Sequence, residues 1–160
     1  MAKKKQYALY TDGSFRKPRY GAWAAIILDS KGTKIHTGSG AVFDTTSPRM
    51  ELTAILEGLR WLKTPSQVTI YSDNSYAVLA LKKWLPVWRR NDWKTYAGSP
   101  VKNKDIMEEL FLQRRKHKLV PIWVKGHNGN TYNEECDKIV QDMTLKMVAG
   151  KIPDPNAPKK

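Results

Sequence analysis

The chain has 160 residues, with 28 Lys or Arg against 15 Asp or Glu, and its formal net charge is +13 at pH 7. This length suits one domain with a sizeable core, and the excess of cations favours association with a polyanion such as nucleic acid. No apolar run approaches the ~20 residues of a membrane-spanning helix, and a single cysteine excludes an intrachain disulfide, so we expect a cytoplasmic protein with no membrane association. No long apolar patch is evident, so we also expect a monomer with no obligate protein partner.

Three strands and a helix are predicted in the first part of the chain. Residues 6–11 alternate in polarity, residues 20–29 form an almost continuous apolar run, and residues 34–42 follow a turn, which predicts three strands. Ser47 and Pro48 are typical of a helix start, with Ser47 as the N-cap and Pro48 at the first helical position. An apolar stripe at helical spacing carries this helix to Lys63.

The second part predicts two strands separated and followed by helices. Residues 67–72 and 119–124 have the composition of strands. Asp73 or Asn74 is expected to cap a helix that runs to about Trp84 and is ended by Pro86. A further helix is expected to open at Asn103.

A capping box predicts the start of the last helix, and a proline-rich segment predicts a tail. Thr131 and Glu134 have the spacing in which two side chains reciprocally cap a helix. From Gly150 onward, prolines and lysines predict a disordered tail of residues 150–160. Residues 1–149 are then one domain, from which a basic helical protrusion of residues 82–104 projects.

This order of elements predicts an α/β protein with a five-stranded mixed sheet flanked by helices. A right-handed crossover through the Ser47–Lys63 helix would place the first and fourth strands side by side and parallel. Ligands of such sheets bind outside the carboxyl ends of the strands. Asp12 and Asp73 lie near those ends.

Four acids in a strongly basic chain indicate a metal site. Glu51 and Asp137 each lie in the second turn of a predicted helix, so they can join Asp12 and Asp73 at one end of the sheet. Hard oxygen ligands suit Mg²⁺ or Mn²⁺, and two such ions ~4 Å apart can activate water and stabilise the leaving oxygen of a phosphodiester. The competing interpretation is that each acid is only a helix cap or a solvated surface charge.

Residues 82–104 combine many cations with tryptophans and contain one acid, Asp92. Such a segment neutralises phosphates, and its indole rings can pack against sugars. We expect Trp84 to belong to the small core of the protrusion and Trp93 to be the better candidate for contact with nucleic acid.

Several short motifs resemble type 1 ribonuclease H, with matching order and spacing over about residues 6–148. They are Thr11-Asp12-Gly13-Ser14, Arg49-Met50-Glu51-Leu52, Ser72-Asp73, Trp123-Val124-Lys125-Gly126-His127 and Asn133-Glu134-Glu135-Cys136-Asp137. The resemblance implies a ribonuclease H-like fold and endonucleolytic hydrolysis of the RNA strand of an RNA–DNA hybrid. It further implies 5′-phosphate and 3′-hydroxyl products and the removal of R-loops and of RNA primers of replication.

The resemblance also implies the site residues. Asp12, Glu51, Asp73 and Asp137 would bind two Mg²⁺ ions, with Mn²⁺ as a substitute, and His127 would join these acids as a catalytic residue. Contacts with the hybrid are expected from two groups of residues, one beside the acids and one in the basic protrusion. They are Gly13, Ser14, Thr46, Ser47, Asn74 and Ser75, together with Trp84, Trp88, Arg89, Arg90, Trp93, Lys94 and Lys102.

The chain departs from the family pattern at residues that read the RNA 2′-hydroxyl. The usual Asn-Pro-Gly turn is replaced by a basic turn over residues 15–19, and Ser75 stands where a glutamine is often found. We therefore expect backbone and side-chain groups near Gly13, Ser47 and Asn74 to contact the 2′-hydroxyl instead. The extra cations of the turn, which are Arg16, Lys17 and Arg19, would shift discrimination toward charge.

Two other functions compete with this one. Transposase and integrase cores also gather carboxylates at this end of a related sheet, but they act on DNA. A hybrid-binding protein without catalysis is the second alternative, although carboxylates beside phosphates would only weaken its binding.

His127 lies in a glycine- and asparagine-rich segment that predicts a loop, and an unperturbed imidazole titrates near neutrality, so this side chain is suited to pass protons. We predict that His127→Ala slows turnover much more than it weakens hybrid binding. Steady-state kinetics and a binding titration measure the two effects, and unchanged turnover would remove His127 from the mechanism.

Overall fold

The computed structural model describes residues 4–125 and 130–156. Its strands are β1 (Lys5–Arg16), β2 (Tyr20–Leu28), β3 (Lys34–Phe43), β4 (Ser66–Ser72) and β5 (Lys118–Trp123). They form one five-stranded mixed sheet in the order β3-β2-β1-β4-β5. Strands β1, β4 and β5 are parallel neighbours, whereas β2 and β3 join antiparallel. The predicted parallel pairing of the first and fourth strands is therefore confirmed.

Helices cover both faces of the sheet. They are α1 (Ser47–Trp61), α2 (Ser75–Leu79), a π-helical turn (Ala80–Trp84), α3 (Leu85–Arg90), α4 (Lys104–Lys116) and α5 (Thr131–Val148). The larger part of the core lies on the α1 side, where Leu9, Ile27 and Ile70 of the sheet meet the apolar stripe of α1. A smaller cluster packs α5 against β2 through Cys136 and Val140. In the described residues, no helix has the length and apolar character needed to cross a membrane.

The helix after β4 does not end at Pro86 as predicted. Helical backbone continues from Ser75 to Arg90 because one π turn lies just before the proline. In that turn the Leu85 N–H bonds to the Ala80 carbonyl, five residues back. A π turn shifts the hydrogen-bond register, which lets the helix tolerate a residue that lacks an N–H.

Two predicted helix caps are also wrong by one residue. Thr46, not Ser47, caps α1 and accepts a hydrogen bond from the Arg49 N–H at 3.3 Å. Asn130 caps α5, because its side chain accepts from the N–H groups of residues 132 and 133 at 3.2 Å. In both helices the capping side chain is a short polar one, and it lies one residue before the predicted cap. Of the two predicted caps of α2, Asp73 and Asn74, the structure shows Asn74.

The burial of the tryptophans in the protrusion differs in part from the expectation. Trp93 is only 9% exposed and packs edge-on against Phe111, so it is a core residue. Trp88 is 7% exposed and stacks on Trp84, which stays partly exposed. The expectation that Trp93 is the tryptophan best placed for nucleic acid is therefore contradicted by its burial. Trp84 packs against the core cluster, as expected, and keeps part of its ring exposed.

After α5 the chain turns back on the body of the protein. Residues 151–156 have no helix or strand, but Asp154 forms an ion pair with Arg19 at 2.6 Å. This contact joins the segment to the turn between β1 and β2. Residues 157–160 of the expected tail lie outside the described residues.

The burial of Trp93 generates a stability prediction. Trp93→Ala should lower the free energy of unfolding by roughly 3–5 kcal/mol, because a large core side chain leaves a cavity. Tyr96 lies three residues away and is fully exposed, so Tyr96→Ala should change stability by less than about 0.5 kcal/mol. Urea denaturation followed by circular dichroism measures both, and equal losses would contradict the placement of Trp93.

Candidate active site

The site lies where the parallel strands β1 and β4 separate. Their pairing ends at Tyr10 and Tyr71, whose rings stack at 4.6 Å between centroids. Strand β1 then continues to Arg16, paired only with β2. The Thr11 hydroxyl donates to the Tyr71 carbonyl at 3.4 Å and so closes the end of the ladder. Beyond this point a gap opens between the two strands, and acids from three elements enter it.

Asp12 enters the gap from the face of the sheet that packs against α5. It lies two residues after Tyr10, which contacts the α5 cluster, so both side chains point to that face. The Asp12 Oδ1 accepts a hydrogen bond from the Gly13 N–H at 2.9 Å. Asp12 lies inside the long strand β1 rather than at its end. The gap arises because β4 ends before β1 does.

Glu51 reaches the gap from the opposite face through α1. This helix lies so close to β1 that a Cβ placed on Gly13 would fall 2.6 Å from the Met50 carbonyl carbon and nearer still to the Glu51 nitrogen. Only a residue without a side chain permits that approach. The second turn of α1 therefore carries Glu51 past the edge of β1 toward Asp12.

Three of the four predicted acids form one cluster. Carboxylate oxygens of Asp12, Glu51 and Asp73 all lie within 4.8 Å of one another. Asp137 lies beside Asp12, with which it shares a hydrogen bond and a charge interaction, but it is outside that compact set. The structure thus brings Asp12, Glu51 and Asp73 together as expected and places Asp137 at their margin.

Burial and mutual repulsion make the cluster a poor place for negative charge. Asp12 and Glu51 are 7% and 8% exposed. Burial, followed by the charges of Asp73 and Asp137, raises the pKa of Asp12 to about 8. Burial, followed by the charges of Asp12 and Asp73, raises the pKa of Glu51 to about 9. Clustered carboxylates of this kind require either protons or a cation.

The donor set fits a divalent cation such as Mg²⁺ or Mn²⁺. Among the described residues, Glu51 Oε2 is buried and has no hydrogen-bond partner. A buried carboxylate oxygen without a partner is costly unless an ion or water satisfies it. The cluster offers only carboxylate oxygens, which are the ligands that these hard cations prefer.

Two further side chains support the acids, although the sequence assigned them no role. The Trp123 indole N–H donates to the Asp73 carbonyl at 3.0 Å and anchors the end of β4. The Asn133 amide donates to the Thr11 carbonyl at 3.4 Å and links α5 to β1. No local pattern identifies either contact, since each depends on the tertiary arrangement.

Most predicted hybrid contacts near the acids lie at the surface of the site. Ser14 accepts a hydrogen bond from Gln141 at 3.4 Å, and Thr46 and Ser47 are exposed at the start of α1. Asn74 and Ser75 begin α2, directly after Asp73. Ser14 lies two residues after Asp12, and Asn74 follows Asp73 directly, so these groups are close to the acids in the chain.

The protrusion presents a row of exposed cations. None of the ion pairs among the described residues includes Arg89, Arg90, Lys94 or Lys102. Beside them an open groove of about 490 Å³ is lined mainly by Trp84, Trp88 and Tyr96 together with the stems of cations. His127, the remaining predicted catalytic residue, lies outside the described residues.

The sequence profile of the family described as RNase H matches residues 4–144 of the chain. The chain belongs to the ribonuclease H family. It is 43% identical over 136 residues to a protein named Ribonuclease H from Thermoanaerobacter sp. (strain X514), covering 84% of this chain and 86% of that protein. Its identity with the Ribonuclease H of Oleidesulfovibrio alaskensis is 44% over 139 residues, covering 86% and 89% respectively. The protein is accordingly a hydrolase of this family.

Solved structures share the fold at low sequence identity. LC9-RNase H1, a type 1 RNase H with the type 2 active-site motif, matches with a TM-score of 0.77 and 21% identity over 95% of this chain and 76% of that chain. The RNase H domain of PFV matches with a TM-score of 0.76 and 20% identity over 89% and 96%. The expected fold is therefore confirmed.

The raised pKa of Asp12 predicts how the stability of the metal-free protein depends on pH. The folded protein keeps a proton on Asp12 up to about pH 8, whereas the unfolded chain loses it near the ordinary value of 3.8. Rising pH across that window therefore favours the unfolded state. Asp12→Asn should flatten this decline and raise the free energy of unfolding at pH 8.

Denaturation in the presence of chelator, at several pH values, measures the effect. Asp142→Asn is the matched control because Asp142 is an exposed acid outside the cluster. Adding Mg²⁺ should stabilise the unmodified protein more than the Asp12→Asn variant. Parallel pH profiles for the unmodified protein and Asp12→Asn would contradict the assigned burial and repulsion.

Proposed function

We propose that this protein is an endonuclease that hydrolyses the RNA strand of RNA–DNA hybrids and leaves 5′-phosphate and 3′-hydroxyl ends. The observation that carries the proposal is the cluster of Asp12, Glu51 and Asp73 in a protein of net charge +13. Carboxylates alone would repel a phosphodiester. With divalent cations between them and the substrate, the same carboxylates would hold the cations that bind the phosphodiester.

Asp12, Glu51, Asp73 and Asp137 are the residues that would hold the cations. Two Mg²⁺ ions, or Mn²⁺ as a substitute, would supply activation of the attacking water and stabilisation of the leaving oxygen. The Gly13 N–H orients the Asp12 carboxylate through its 2.9 Å hydrogen bond. His127 would accept and release protons.

The rest of the surface is suited to holding the hybrid in register. Exposed cations of the protrusion neutralise phosphates of one strand, which makes binding depend on salt. Trp84 offers a partly exposed ring beside them. Near the acids in the chain, Ser14, Thr46 and Asn74 carry the polar groups available for reading RNA 2′-hydroxyls.

Similar proteins agree with this choice of substrate. The foamy viral protease-reverse transcriptase has a structure in complex with RNA/DNA hybrid, and this chain matches it with a TM-score of 0.75 and 20% identity over 89% of this chain and 20% of that chain. Relatives at about 40% identity bear the name Ribonuclease H. Removal of R-loops and of RNA primers follows as the cellular role that we propose.

One assay separates this function from DNA strand transfer and from binding without catalysis. Labelled RNA–DNA, DNA–DNA and RNA–RNA duplexes are incubated with the protein and Mg²⁺, with or without chelator. We expect cleavage of the RNA strand in the hybrid only, and its abolition by chelator. Asp12→Asn should lower kcat by about 100-fold or more, while Asp142→Asn should keep the kcat of the unmodified protein.

Product ends test the direction of hydrolysis. A 3′-hydroxyl permits extension of the cleaved RNA by a polymerase, and a 5′-phosphate permits its ligation. DNA cleavage would favour the strand-transfer class, and binding of hybrid without cleavage would favour a non-catalytic binder. Either outcome would overturn the proposal.

A further inference from the structure

Arg19 uses its whole guanidinium fork to connect three separate segments of the chain. It lies in the three-residue turn between β1 and β2. Its Nε and Nη2 donate to the two carboxylate oxygens of Asp44 at 2.9 and 2.7 Å. Its Nη1 pairs with Asp154 at 2.6 Å, and its Cζ lies 5.0 Å from the centre of the Phe43 ring. We call Arg19, Asp44 and Asp154 the Arg19 clamp.

The Asp44 side of the clamp holds the loop that leads into α1. The Asp44 N–H donates to the Arg19 carbonyl at 2.8 Å, so backbone and side chains bond the same two residues. Asp44 has a left-handed backbone with φ of 58°, which an L-residue adopts at a cost. Two residues later Thr46 caps α1. The clamp therefore fixes the loop that presents Thr46 and Ser47.

The Asp154 side of the clamp recruits the segment after α5. The Asp154 side chain is only 14% exposed, and its Oδ1 accepts a hydrogen bond from the Asn156 N–H at 2.9 Å. A single exposed ion pair contributes little, but a guanidinium that is bidentate to one carboxylate and bound to a second is the favourable case. Three segments far apart in sequence are thus held by one side chain.

We propose that the Arg19 clamp positions the two loops that contact the hybrid beside the acids, which makes Arg19 and Asp154 positioning residues for substrate binding. These loops are the β1–β2 turn, with Ser14 and Arg16 at its base, and the loop carrying Thr46 and Ser47. The inference rests on the proposed function. It also changes the role of Arg19, because a guanidinium held by two carboxylates is not a free cation for phosphate.

The clamp acts on binding rather than on chemistry. Asp12 lies in the paired centre of β1, and Glu51 is held by the packing of α1 on Gly13. Neither contact passes through Arg19. Loosening the clamp should therefore raise KM and leave kcat nearly unchanged, whereas a purely stabilising role would lower Tm and leave KM unchanged.

Charge alone predicts the opposite effect for Asp154. Asp154→Asn raises the net charge of an already cationic protein, so long-range electrostatics would tighten the binding of a polyanion and lower KM. Loss of positioning would raise KM instead. The sign of the change therefore distinguishes the two explanations.

The test measures kcat, KM and Tm for Arg19→Lys and Asp154→Asn on a labelled RNA–DNA hybrid with Mg²⁺. Arg19→Lys keeps the charge but loses the fork, and Asp142→Asn repeats the charge change of Asp154→Asn on an exposed residue of α5. We expect KM to rise about two- to fivefold in both clamp variants, with kcat within about twofold. Asp142→Asn should keep or lower KM.

The double variant of Arg19→Lys with Asp154→Asn gives an independent readout. If both act through one contact, its rise in KM should be smaller than the product of the two single rises. Unchanged or lowered KM in both single variants, with or without a lower Tm, would overturn the clamp. Absence of hybrid cleavage by the unmodified protein would instead overturn the proposed function, so the two failures are distinguishable.

Discussion

The approach of α1 to β1 at Gly13 is the contact on which the site depends. A methyl group on that residue would collide with the backbone of Met50 and Glu51, so the helix would have to move outward. Glu51 would then leave the gap in which it meets Asp12. The strand itself needs no glycine for its extended pairing with β2, in which Gly13 lies opposite Trp23. Glycine is required at this position because α1 approaches β1 so closely.

That approach has an energetic cost which the surrounding core offsets. Bringing Asp12 and Glu51 together in a poorly solvated gap raises the pKa of both carboxyl groups above the usual range of acids. Removal of charge would stabilise the metal-free fold, and a function that needs negative oxygen ligands accounts for their presence. Leu9 and Ile70 belong to the core cluster on one face of the sheet, and Val140 belongs to the cluster on the other face.

Patterns of short range predicted most of the fold. Strand alternation, the apolar run of β2 and the crossover rule led to the parallel pairing of β1 with β4, and this pairing brings Asp12 near Asp73. The sequence patterns predicted the wrong helix cap where two adjacent residues could both cap the helix. Thr46 and Ser47 can both cap a helix, and the choice depends on how the loop before α1 is held. Pro86 ends an ordinary helix, but a preceding π turn removes that restriction.

The remaining errors have a common physical origin in contacts between residues distant in sequence. Trp93 is buried because residues 92 and 93 adopt left-handed backbone conformations that turn its ring toward Phe111, and no periodicity announces such a turn. Arg19 lies in a turn rich in cations and looks like a phosphate ligand when the sequence is read alone. Its actual partners, Asp44 and Asp154, are 25 and 135 residues away. A cation in a nucleic-acid-binding protein therefore has to be compared with the acids that fold against it before it is counted toward the substrate. By that criterion Arg90 and Lys94 of the protrusion, which take part in none of the ion pairs among the described residues, remain candidates for the proposed contact with phosphates.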